Sequence, residues 1–398
     1  MDSKLIGGIL LIVGTSIGAG MLGLPIAAAE LGFVGSLIFL LVCWLIMVVG
    51  ALYLLEVNLW LPINSNLISM AKATIGPLGQ GLAWLTYLLL LYSLLCAYIA
   101  GGSDLFHNVL EASGLDLPLW VSSISFTLLF GFIVYGGIRV VDFVNRGLMF
   151  VKFGAYIILV LLLFPFISVD KLTAGNLTYL SSATVLTVTI TAFGYGTIIP
   201  SLRVYFMGDA RKLKIAIIIG SLIPLVCYII WDAVIMGVIP LNGENSLINI
   251  LNSPQSVSDL VNTLSKLIGK EFIIFFIKLF TSICVVTSFL GVSLCLTDFF
   301  SDGLQLEKKG YNNIIIHAVT FLPSLIIALY FPNVFIKALK YAGINCIILL
   351  VLLPAWMAWN GRYRRGIAEG FRVGGGKIFL ISFIVLALIL ILRSVSGS

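Results

Sequence analysis

The 398-residue sequence is poor in charge: 23 lysines and arginines and 17 aspartates and glutamates make up only 10% of it. A soluble globular protein carries about 25%, so this chain cannot cover a water-facing surface. Histidine is scarcer still. The two histidines, His107 and His317, sit near opposite membrane faces, and no H-E-x-x-H or G-x-S-x-G pattern occurs, so the sequence offers no convergent base, nucleophile or metal-ligand set for an intramembrane enzyme. The six cysteines (43, 96, 227, 284, 295 and 346) all fall in apolar runs with no C-x-x-C spacing. They read as small buried apolar residues and not as disulfides or metal ligands. The net charge of +6 is not gathered on one face, as nucleic-acid binding would require. Also missing is any polar segment long enough to be a separate domain, or the filter ring or continuous polar stripe of a channel.

What the chain has instead is apolar length. Hydrophobic residues make up 60% of it, and its mean hydropathy is +1.15. Eleven stretches are long enough to cross about 30 Å of hydrocarbon: 5–29, 33–60, 80–103, 119–138, 143–166, 184–207, 213–240, 270–300, 313–331, 333–358 and 376–395. The chain therefore reads as an all-α integral membrane protein, one transmembrane domain over 1–398. The first stretch exceeds a 7–15-residue signal core and is followed by many like it, so it is not a cleaved leader. With the N-terminus cytoplasmic, sixteen of the 23 lysines and arginines fall on the inner side, which satisfies the positive-inside rule and leaves the C-terminus outside. The longest connection, 241–269, suggests a polar outer loop with one short helix. Residues 361–377 end in GGGK but lack the first glycine and the Ser or Thr of a phosphate loop, so they read as a basic inner loop. Asn176-Leu177-Thr178 is a chance-level glycosylation triplet.

Two stretches contradict their own helices. Between Leu5 and Ala29 there is no charge, yet six positions are glycine, and the segment GTSIGAGMLGLP (14–25) holds four of them. Each glycine in a helix interior costs about 1 kcal/mol relative to alanine. The sixth stretch repeats the oddity in TAFGYGTIIP (191–200). Spans one and six are the first members of two consecutive groups of five, 1–170 and 180–358, with 376–395 an additional helix. Because five is odd, the second group lies inverted relative to the first. Paired Gly/Pro-interrupted spans at corresponding positions of inverted halves mark the binding site of a secondary transporter. Unwound N–H groups and a half-helix N-terminus hold a carboxylate, free carbonyls hold an ammonium, and so a zwitterion suits the place. The competing reading is close helix packing through small residues, which Gly7, Gly14 and Gly18 also fit.

At these residues the sequence resembles a known family. GTSIGAGMLGLPIAAAELGF, LLEV (54–57), AYIAGG (97–102), VDFVNRGLMFVKF (141–153), TSFLGVSL (287–294), TFLPSLIIALYFP (320–332) and YAGI (341–344) look like the bacterial hydroxy and aromatic amino acid permeases, over essentially the whole chain and in order. The resemblance implies the leucine-transporter fold, a 5+5 inverted repeat plus an eleventh helix, and proton-coupled uptake of an aromatic amino acid, L-tyrosine first, across a bacterial inner membrane. The expected partners are thus the amino acid, protons and the bilayer, with no cofactor, metal or nucleic acid and no required oligomer. A departure is Gly196, where the family's tyrosine and tryptophan permeases carry histidine; it leaves the substrate and the proton route open.

The resemblance further implies that Thr15, Ser16, Ile17, Gly18, Ala19 and Gly20 bind the substrate's carboxylate and amino group. It assigns carbonyls of Ala192, Phe193 and Gly194 to the ammonium, and the side-chain pocket to Tyr195, Tyr92 and Cys96. Tyr98 reads as interhelical packing. Asn345 lies mid-span ten and either lines the cavity or bonds a neighbouring helix. At 1.5 Å per residue, Lys152 lies roughly 14 Å deep in span five, at the depth of the first break and of Thr287 and Ser288 in span eight. In sodium-coupled relatives of the fold, spans one, five and eight hold a sodium ion there; in the proton-coupled branch a lysine takes that place. The alternative for Lys152 is a side chain that snorkels to the interface. Thr287 and Ser288 equally suit a sodium-coupled or broader neutral amino acid carrier. Asp232, in the outer half of span seven, is a candidate proton relay, and Glu56 and Lys278 read as interfacial.

Overall fold

A computed structural model of the chain describes residues 3–115, 117–331 and 334–396. Among the described residues the secondary structure is helix and connecting loop, with no strand. Among the described residues nine helices are long and apolar enough to cross a membrane, and a bent helix pair makes a tenth if it counts as one span. The remaining apolar stretch is the shorter helix Leu119–Tyr135. In hydrocarbon each backbone group must be bonded within its own segment, and a helix of such apolar side chains meets that demand.

Span one is the bent pair: Ser3–Ser16 and Ala19–Ala27 meet at 52°. Numbered after the apolar stretches of the sequence, span two is Gly32–Trp60, span three Pro77–Ala112, the shorter fourth helix Leu119–Tyr135 and span five Ile138–Leu163. Span six is three pieces, Ala183–Ala192, a 3-10 turn Gly194–Ile198 and Ile199–Tyr205. Pro200 falls in the first turn of the last piece, where its missing N–H is no loss. Spans seven, eight and nine are Ala210–Val238, Glu271–Leu304 and Gly310–Tyr330. Span ten is α-helical over Val334–Cys346, widens to a π-helix over Ile347–Leu352, and returns to α over Leu353–Tyr363. Span eleven is Gly376–Ser396. Spans one and six are packed against each other within the bundle, span five lies on span eight, and span ten on spans three and six.

Several sequence expectations change. The 241–269 connection holds two helices, Leu247–Asn252 and Ser256–Ile268, not one. The second is strongly amphipathic and buries Val257, Leu260, Val261 and Leu264, so it is part of the core and not a loose loop. The turn after span two carries a further short helix, Leu67–Thr74, closed by an Asn66–Ser69 capping box. Cys295 is exposed and Cys227 partly so, whereas the other four cysteines are buried.

Glu56, near the end of span two, does not face solvent. It is fully buried and takes a two-pronged ion pair from Arg362, at 2.6 Å from Nε and 2.5 Å from Nη2. The Val373 N–H donates to the same carboxylate at 2.7 Å. These bonds fasten spans two and ten and the loop before span eleven at one end of the bundle. At that same end Arg203, in the last piece of span six, donates to the carbonyls of Asn58, Leu59 and Pro62. Asn58 and Leu59 lie in the last turn of span two and Pro62 just beyond it, where carbonyls have spare acceptor capacity that a buried guanidinium suits.

Candidate functional site

Why span one breaks is visible in its glycines, which do two different things. A Cβ on Gly7, Gly8 or Gly14 would run into Tyr205, Phe206 or Met149, so these positions serve close helix packing. Gly18 instead sits in the break itself, in extended backbone at φ −157° and ψ −154°, and a Cβ there would meet the hydroxyl of Ser288. That hydroxyl accepts from the Ala19 N–H at 2.9 Å. The N–H of Ile17 reaches Val13 O at 2.9 Å and that of Met21 reaches Gly18 O at 3.1 Å. Among the described residues, the N–H groups of Gly18 and Gly20 have no hydrogen-bond acceptor. They stand at the N-terminus of the nine-residue half-helix Ala19–Ala27, the positive end of its dipole.

The carbonyls of the same break are held by other helices. Lys152 of span five donates to Ile17 O at 2.6 Å and lies 3.3 Å from Thr287 Oγ1 of span eight. Thr287 gives its own proton to Ile283 O at 2.9 Å, leaving lone pairs toward the lysine. Lys152 is 1% exposed and has no carboxylate at ion-pair distance among the described residues, so it does not snorkel. Taking an ammonium out of water without a counter-charge is costly, and among the described residues a carbonyl dipole, a hydroxyl and the Phe153 ring, whose centroid is 5.8 Å away, offset that cost.

The second break lies beside the first. A Cβ on Gly20 would stand 3.7 Å from Ala192 Cα. Phe193 ends the first piece of span six with its N–H on Ile190 O at 3.1 Å. Tyr228 of span seven ties the two breaks together: its hydroxyl is 2.6 Å from Ser16 O and 2.9 Å from Ala192 O. Its ring meets Phe193 edge-on, with centroids 5.2 Å apart. Tyr195 is buried beside Ser221. Gly194 faces Cys346, and Gly196 faces Leu350 in the π-helical stretch of span ten. Leu350 thereby fills the space next to the position where the sequence departs from its family pattern.

Ser16, Ile17, Gly18, Ala19, Gly20, Lys152, Thr287, Ser288, Ala192 and Phe193 thus gather around the paired breaks, with Gly194 and Tyr195 on the adjoining turn of span six. Others do not. Thr15 lies on the accessible surface with its hydroxyl turned onto Leu11 O at 2.7 Å. Tyr92 bonds Val319 O at 2.7 Å and packs on Phe300, while Cys96 lies by Ser324; both face span nine. Asn345 bonds its own helix at Tyr341 O, 2.9 Å away. Asp232 is fully buried one turn beyond Tyr228, accepting from Ser36 Oγ at 2.5 Å, with its second oxygen lacking a partner among the described residues. Sequence reasoning missed Tyr228 and set aside Tyr98, which is buried in span three. A lone tyrosine in an apolar helix gives no local signal of this kind. No cluster of potential metal ligands occurs among the described residues.

Comparison with known proteins gives the same picture from end to end. Residues 1–394 match the model of the tryptophan/tyrosine permease family. Tyrosine-specific transport system 1 of Haemophilus influenzae is 33% identical over 392 residues, covering 98% of this chain and 96% of that one. The tryptophan-specific transport protein of the same organism is 30% identical over 394 residues, with 96% and 93% covered. Glutamine transporter 2 of Aliivibrio fischeri is 29% identical over 364 residues, with 90% and 89% covered. The chain belongs to the tryptophan/tyrosine permease family.

Proposed function

We propose that this member of the tryptophan/tyrosine permease family takes up an aromatic amino acid, L-tyrosine first, in symport with protons, by alternating access across a bacterial inner membrane. The N-terminus is cytoplasmic and the C-terminus periplasmic in this reading. The supporting features are the names of the full-length relatives and the chemistry of the paired breaks. The N–H groups of Gly18 and Gly20 receive the substrate carboxylate at the positive end of a half-helix. The carbonyls of Ser16 and Ala192 receive its ammonium. The aromatic ring lies among apolar and aromatic walls that include Phe193, Tyr98 and Tyr195, as small-ligand sites generally do. In this reading the spans form two inverted groups of five, each opening with a broken helix, with both breaks at the axis of alternating access.

The observation that carries the coupling is Lys152, buried with its ammonium on Ile17 O and beside Thr287 Oγ1. Protonated, it bridges spans five, one and eight; deprotonated, it loses the charge that holds the Ile17 carbonyl. Opening of the inner side thereby follows loss of the proton. Asp232, a buried carboxyl with one hydroxyl partner, is the second proton-carrying group on the outer side.

A broader neutral amino acid specificity is the second reading, favoured by the glutamine transporter among the relatives. Uptake of radiolabelled tyrosine into proteoliposomes under an imposed pH or sodium gradient, with competitors, tests both parts. Drive by the pH gradient and competition by phenylalanine and tryptophan but not glutamine is the expected result. Competition by glutamine equal to that by aromatic amino acids moves the substrate to the second reading, and drive by sodium alone removes the proton.

A further inference from the structure

The Tyr228 hydroxyl, the Ser16 carbonyl and the Ala192 carbonyl form a cluster that is short of hydrogen. Tyr228 Oη lies 2.6 Å from one carbonyl oxygen and 2.9 Å from the other. A phenol has one proton and can serve only one acceptor at a time. Neither carbonyl receives another donor among the described residues, because each is the last residue of a helix whose continuation is broken. Tyr228 is fully buried, and Ser16 and Ala192 are 6% and 3% exposed, so water does not freely make up the deficit. Three oxygens and one hydrogen in a dry place favour a donor-rich cation.

We propose that Tyr228 is a binding residue for the substrate's amino group, whose oxygen accepts from the ammonium while its proton stays on one of the two carbonyls. An ammonium has three N–H donors, which match the phenolic oxygen and the carbonyls of Ser16 and Ala192. Each break supplies one of those carbonyls, and Tyr228 comes from span seven, outside both. The amino group therefore links three spans at one atom, and binding it draws the two breaks onto span seven. This rests on the reading that the amino group enters between the breaks.

The test compares tyrosine with its des-amino analogue, 3-(4-hydroxyphenyl)propionate, as competing ligands for purified protein. In Tyr228→Phe, tyrosine binding is expected to weaken about tenfold, the value of a charge-assisted hydrogen bond, while binding of the des-amino analogue is unchanged. Equal weakening of both ligands, or no weakening of either, overturns the proposal, since a merely structural hydroxyl does not discriminate between them. Tyr228→4-aminophenylalanine guards against a folding defect. Its amine has a proton for each carbonyl, so it keeps the ties between helices but ends the hydrogen deficit. It too should lose tyrosine selectively, and tyrosine binding at wild-type strength in that variant also contradicts the proposal. If wild-type protein binds the des-amino analogue as tightly as tyrosine, the underlying reading of the site fails instead.

Discussion

The two helix breaks lie side by side and are held in different ways. In span one three backbone groups of the break are met by side chains from elsewhere, Ser16 O by Tyr228, Ile17 O by Lys152 and Ala19 N by Ser288, while Ile17 N and Gly18 O bond within the span. Spans seven, five and eight thus each hold one residue of this break. In span six the chain closes on itself. Ala192 leads through Phe193 into a 3-10 turn, Thr197 bonds back to Gly194 O at 3.4 Å, and among the described residues Tyr228 is the one side chain of another helix that donates to a carbonyl of this break. The rest of its support is the Thr191 hydroxyl on Leu339 O of span ten at 3.1 Å and packing, through Gly343, where a Cβ would strike the Thr187 backbone, and through Leu350 of the π-helical stretch. A break maintained by foreign side chains can be rearranged by a proton or a ligand that competes for those bonds. One maintained by its own turn and by close packing acts as a fixed wall. On the proposed function, the first break is the part expected to move with binding, and the second the reference against which it moves.

Substitutions should separate the two breaks by size of effect. The largest is expected from Gly18→Leu, whose side chain enters the place of the Ser288 hydroxyl and the substrate carboxylate; tyrosine binding to the folded variant should be undetectable by scintillation proximity. Full affinity would mean that Gly18 serves only packing, as Gly7 and Gly14 do. Next comes Gly343→Ala, which attacks the wall. Overpacking of this kind costs about 1–3 kcal/mol, read as a lower melting temperature of the purified protein, and a variant that melts as the wild type does would show that span ten yields easily. Ser288→Ala removes one hydrogen bond from the mobile break and should weaken binding about three- to tenfold. The smallest effect belongs to Gly194→Ala, because its Cβ would meet Cys346 Sγ at an ordinary 3.6 Å. Should Gly194→Ala prove more harmful than Ser288→Ala, the assignment of mobile part and fixed wall would be reversed.

Much of this was legible in the sequence because its signals are local. Glycine and proline punctuate spans one and six wherever the helix is read, and the depth of Lys152 follows from counting residues into an apolar run. The packing glycines of span one and the break glycine could not be told apart by composition, since the difference is what stands opposite each: Tyr205 and Phe206 in one case, the Ser288 hydroxyl in the other. Tyr228 and the Glu56–Arg362 pair were illegible for the same reason. Glu56 and Arg362 are 306 residues apart, and each alone reads as a charge near a helix end. Tyr92 is ambiguous in sequence because a tyrosine in span three is as suited to a carbonyl of span nine, which it bonds here, as to a pocket. The second helix of the 241–269 connection is not legible as a span because it is amphipathic and short, although it contributes buried residues to the core.

The most direct test of the account is tyrosine accumulation in proteoliposomes under an imposed proton gradient, comparing the wild type with Lys152→Ala and Lys152→Arg after equal insertion is verified. The wild type should concentrate tyrosine, and both variants should lose uphill accumulation. Alanine has no proton to carry, and arginine does not release its proton in proteins. Exchange down a tyrosine gradient should survive in at least the alanine variant, because the N–H groups and carbonyls of the breaks remain. Accumulation at the wild-type level by Lys152→Ala would contradict the account, leaving the Lys152–Ile17 bond a structural tie and the proton to another group, with Asp232 the next to examine.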